Sequence, residues 1–128
     1  MNPLSPAWRG ALAIAALVAA AFVMPAFAAA TTTIKGEVVD LECSLGKGAD
    51  GKGEAHAACA MSCARDGQAM AILTADEIVL IEGDYTANTN AKLLDFVAKQ
   101  VEAKGHVSER DGKKFINIVA MVVQKAEK

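Results

Sequence analysis

The chain has 128 residues, with thirteen Lys and Arg against fifteen Asp and Glu, two histidines, three cysteines and a formal net charge of −2. That mildly acidic balance excludes the basic footprint that nucleic-acid binding requires, and so short a chain encloses one modest core. Only 5% of the residues are aromatic, which leaves few stacking platforms for single-stranded nucleic acid.

Residues 1–28 read as a secretory signal peptide. Arg9 is the only charged side chain before a run, Ala11 to Val23, that has no polar side chain. Met24 and Pro25 break the run, and Ala26-Phe27-Ala28 then offers small residues at the two positions that signal peptidase selects, so cleavage is expected after Ala28. The rival is a retained anchor, since Gly10 to Ala30 has about the 20 residues that a bilayer crossing needs. Against it stand Pro25, the many alanines and the lack of a cationic flank after the run. The expected product is one domain, residues 29–128, periplasmic or secreted, meeting the membrane only through an uncleaved leader. It keeps all three cysteines, both histidines and every acidic residue, but no tryptophan.

In chain order, Ile34 to Cys43 is the first strand. Its apolar phase moves from Ile34, Gly36 and Val38 to Val39, Leu41 and Cys43, which predicts a bulge or bend near Gly36 to Val39. Gly46 to Glu54 contains four glycines and predicts a flexible loop. Alanine-rich Glu54 to Arg65 predicts a short helix ended by Gly67. Ala69 to Leu73 and Ile78 to Ile81 are short strands joined by a Thr74–Glu77 turn. Asn88 to Asn90 can cap a helix whose Leu93, Leu94 and Val97 share one face.

The last segment is the most regular. Val101, Ala103, Gly105 and Val107 alternate with polar residues, and Asp111-Gly112 is a pair favoured in two-residue hairpins. That turn predicts Arg110 opposite Lys113, Val107 opposite Ile116, Gly105 opposite Ile118, Ala103 opposite Ala120 and Val101 opposite Val122. His106 then lies opposite Asn117 on the outward face, as an exposed strand residue.

The fold class is therefore β with short helices: five strands, a helix between the third and fourth, and a helical insertion bearing Cys and His after the first. This is the layout of a five-stranded OB-fold-like barrel, in which a bent first strand serves both halves of the sheet. On Gly36-Glu37-Val38-Val39-Asp40 leading to Cys43, on His56-x-x-Cys59-x-x-x-Cys63 and on Val101 to Val107 before the turn, the chain resembles the small secreted bacterial OB-fold proteins, over most of residues 34–123. The resemblance implies a fold and no particular function.

His56, Cys59 and Cys63 fall at i, i+3 and i+7 of the expected helix, within roughly 60° of one another at 3.6 residues per turn. With Cys43 returning across the glycine-rich loop, three thiols and an imidazole meet. That is the Cys3His ligand set of a tetrahedral zinc site or a soft copper(I) site. The opposing geometry is that His56 and Cys63 are about 10.5 Å apart along a helix axis. A second reading stands beside the first. In an oxidising compartment, Cys43 forms a disulfide with Cys59 or Cys63, adding roughly 3 kcal/mol by closing a loop of about 15 to 20 residues. The protein is then a structural or adaptor module with a spare cysteine, whose partner is another exported protein.

Other signals fail on their own terms. Gly46 to Gly53 approaches a phosphate-binding loop, but Gly53 stands where Ser or Thr must hold magnesium. Asp50 to Glu54 lacks the ligand order of a calcium loop. Cys59-x-x-x-Cys63 is not a Cys-x-x-Cys redox pair, and neither histidine sits in a nucleophile motif. A binding protein is expected, not an enzyme.

Overall fold

The computed structural model describes residues 30–125; the leader and its cleavage after Ala28 lie outside the described residues. Five strands close into a ring: β1 (Thr32–Asp40), β2 (Met70–Leu73), β3 (Ile78–Glu82), β4 (Gln100–Arg110) and β5 (Lys113–Val123). The order is β1-β2-β3-β5-β4, with β4 returning to β1. Every pairing is antiparallel except β3 with β5. Three short helices join them, α1 (Leu41–Lys47), α2 (Ala57–Arg65) and α3 (Ala87–Asn90). Among the described residues no helix is long and apolar enough to cross a membrane. The architecture is thus mostly β, with a Cys- and His-bearing helical insertion after the first strand.

The phase change in the first strand has a physical origin. β1 pairs with β4 from Thr32 to Glu37, then with β2 from Glu37 to Asp40. Its first half is largely wet, whereas every residue from Gly36 to Asp40 is buried, because two strands and the insertion close around it. Gly36 sits at the changeover, where a Cβ would overlap the Leu73 carbonyl and the Ile72 side chain. The strand stops at Asp40, not at Cys43 as its apolar pattern predicts. Asp40 caps α1 by accepting the Cys43 N–H at 3.0 Å, which satisfies a helix donor that no backbone carbonyl reaches.

The glycine-rich segment is not the flexible loop its composition predicts. α1 extends to Lys47, and a 3₁₀ turn occupies Gly48–Gly51. Gly51 packs against the Cys43 carbonyl so closely that a Cβ would overlap it. The Gly53 N–H donates to Glu37 Oε1 at 2.6 Å, and that contact accounts for a glutamate only 6% exposed.

The stretch 83–97 also departs from the single capped helix expected of it. Two 3₁₀ turns, Gly83–Thr86 and Ala91–Phe96, flank α3, and Asn88, Thr89 and Asn90 all have positive φ. Asn90 does not cap the residues that follow it. Its buried amide instead donates to the carbonyls of Ala64 and Gln68, both at 2.9 Å, tying down the end of α2. Leu93 and Val97 still reach the core beside Val38, Met70, Ile72, Val79, Val101 and Ile116, so the apolar spacing is read correctly although the helix type is not.

In the terminal hairpin the turn is as expected: Asp111 and Gly112 both have positive φ, matching the strand twist. The register holds from Arg110↔Lys113 to Gly105↔Ile118, including His106↔Asn117, and then slips by one residue at a bulge between Lys104 and Gly105. Ala103 faces Met121 and Val101 faces Val123, not Ala120 and Val122. Because side chains alternate faces along a strand, one extra residue turns the rest of β5 over. Met121 enters the core, and Val122 points outward, 61% exposed. Close approach explains the bulge site: at Gly105 a Cβ would overlap the Asn117 carbonyl. His106 is half-buried, and its Nδ1 is buried without a hydrogen-bond partner, correcting the expectation of an exposed strand residue.

Candidate metal centre

The insertion brings Cys43, Cys59 and Cys63 together from two helices. Cys43 occupies the first turn of α1, which Asp40 starts. Cys59 and Cys63 lie one turn apart on α2, where the neighbouring Ala60 and Ala64 are the buried residues. The three sulfur ligands lie within 4.8 Å of one another. Zinc–thiolate bonds of about 2.3 Å place tetrahedral sulfurs roughly 3.8 Å apart, so small side-chain rotations bring them onto one ion. All three cysteines are free, and no disulfide links them.

His56 meets the site differently from the single helical stripe its spacing predicts. It ends a 3₁₀ turn, Glu54–His56, and precedes the first residue of α2. Its ring turns inward, 6% exposed, and Nε2 donates to Asp40 Oδ1 at 2.9 Å. Asp40, Cys43 and His56 form a second set of ligand atoms within 4.8 Å of one another, sharing Cys43 with the thiol set. All four predicted residues thus lie close enough to hold a metal. Cys43 joins the two sets, and the separation along α2 keeps His56 nearer Cys43 than Cys63.

Asp40 is the residue that sequence reasoning missed. One oxygen takes the His56 N–H and the other the Cys43 backbone N–H. A signal was available, because Asp three residues before Cys43 is an N-cap pattern. Burial alone would raise its pKa, but the hydrogen bonds from Cys43 and His56 outweigh it and hold the carboxyl below its ordinary value. The same contact acts oppositely on the thiol: its hydrogen bond to Asp40, aided by burial and by the carboxylate charge, pushes Cys43 up to about 11. Burial, then the charge of Asp40, also raises Cys63. A nucleophilic cysteine needs surroundings that favour thiolate; these favour the thiol until a cation arrives to compensate the charge. A cysteine–histidine catalytic pair is disfavoured on a second count, since Asp40 accepts hydrogen bonds from both partners in place of His56 activating the thiol.

Compared with models of known protein families, with curated proteins and with solved structures, the chain matches none.

Proposed function

We propose that this is an exported, OB-fold-like protein that binds a thiophilic transition metal, zinc(II) or copper(I), through Cys43, Cys59 and Cys63 with His56 as the fourth ligand. One observation carries the reading: three free thiols from two separately anchored helices converge within 4.8 Å of one another. Ion and protein fit chemically, because thiolates suit soft or borderline cations and imidazole completes four-coordination. Through its bond to His56 Nε2, Asp40 would serve as the carboxylate that orients a metal-binding histidine. The ring order and the parallel β3–β5 pair support the OB-fold comparison. The A-x-A leader supports export to the periplasm or beyond.

Intact native mass of protein recovered from the export compartment, without chelator or reductant, tests the reading. The expected mass is that of residues 29–128 plus one metal ion, with no hydrogens lost to disulfides. A metal-free chain two hydrogens lighter would overturn it in favour of the disulfide-stapled adaptor.

A further inference from the structure

We propose that the thiol centre is a delivery site: its cation is cargo, passed through Cys59 to a thiolate-bearing acceptor. The inference rests on the metal-binding reading above and follows from two features of the insertion.

The first is an asymmetry of access. Asp40 and His56 are buried and Cys43 and Cys63 half-buried, whereas Cys59 is exposed on α2. The site has a closed back and one open side, and the open side carries a ligand. An acceptor can reach the coordination sphere only through an accessible ligand, and here that ligand is Cys59.

The second is that the helices bearing the thiols are anchored by bonds that involve no thiol. α1 is held by the Asp40 cap, by Gly51 against the Cys43 backbone and by the Leu41 N–H on the Ala69 carbonyl at 2.9 Å. The Gly53–Glu37 bond fixes the segment that follows. α2 is held by Ala60 and Ala64 in the core and by the Asn90 amide on Ala64 and Gln68. Structural zinc supplies the folding free energy of its domain; here the supports use no thiol, so in the proposal the cation can leave and the site persist.

In the transfer step an acceptor thiolate forms a sulfur–metal bond as the Cys59 sulfur–metal bond breaks. The proton released by the acceptor thiol is matched by the one that Cys59 takes from solvent. Cys63 and Cys43 are then displaced in the same way, the neutral His56 imidazole dissociates without taking up a proton, and the metal keeps its oxidation state throughout.

The test uses the full exported chain loaded with cobalt(II), whose thiolate charge-transfer absorption reports occupancy, and dithiothreitol as the acceptor probe. The rate of cobalt loss should rise about tenfold for a tenfold rise in acceptor, as bimolecular exchange requires. Circular dichroism of the metal-free chain should match that of the loaded one. Alkylation during transfer should label Cys59 about tenfold ahead of Cys43, following thiol access. A rate independent of acceptor, an unfolded metal-free chain, or earlier labelling of Cys43 would each overturn the delivery role while leaving metal binding intact. If no charge-transfer band forms with either cobalt(II) or copper(I), the metal-binding reading itself falls, and the delivery role with it.

Discussion

The β4–β5 hairpin and the β1–β2 connection are specified in opposite ways. The hairpin is built from alternation and a two-residue turn, and its information is local and apolar. The connection, residues 41–69, contains almost no large buried apolar side chain. Its shape comes from polar contacts between residues far apart in sequence: His56 with Asp40, Gly53 with Glu37, Asn90 with Ala64 and Gln68. In such a connection single polar groups govern stability, since a buried group left without its partner loses more than an average hydrogen bond provides.

The sharpest way to break the connection is Asp40→Ala. It strips the α1 cap and leaves the buried His56 ring unpaired, so urea denaturation should show a loss of about 3 kcal/mol. Asn90→Ala should follow, at about 2 kcal/mol by the same measurement, because two buried carbonyls lose their donor. In the hairpin, Gly105→Ala forces a Cβ against the Asn117 carbonyl and should cost about 1 to 2 kcal/mol, as overpacking does. Val122→Thr on the outward face should change stability by no more than about 0.5 kcal/mol, although it too lies on a long strand.

A pH series separates the two regions without altering the fold. Cys43 titrates near its ordinary value of 9.0 when unfolded and at about 11 when folded. Its protonated form therefore favours the native state fully below pH 9, and that contribution fades as pH rises through 11. The melting temperature of the metal-free chain should fall over this window more steeply than that of Cys43→Ser. Equal slopes would show that the Asp40–Cys43 contact does not form in solution.

The contrast also explains what was legible from the residues. The Asp111-Gly112 turn, the apolar spacing of Leu93 and Val97, and the short helix over Cys59 and Cys63 follow from local pattern, and all are present. The register beyond Gly105 was not legible, because alternation is equally satisfied on either side of a bulge; backbone approach at Asn117 decides the matter. Glycine content suggested mobility at residues 46–54, yet Gly51 and the Gly53 N–H dock onto Cys43 and Glu37 through contacts that composition does not encode. For the site, the pairing of Cys59 with Cys63 was legible from helical spacing, while Cys43 and His56 come close to them through the α1 cap and a 3₁₀ turn. Asp40 was hidden because it reads as a residue inside a strand running on to Cys43, and the inward turn of His56 was hidden with it.

The glycine-rich run has two halves of different tolerance. Gly51 and Gly53 are fastened to their neighbours, but Gly46 and Gly48 have no heavy atom within 4 Å of where a Cβ would lie. A side chain can therefore be added at Gly46 without a clash, whereas chain inserted after Gly51 would pull the Gly53 N–H from Glu37. The open half is a natural port for a fluorophore. A reporter placed there would sit one helical turn from Cys43, close enough to respond to what the thiols hold.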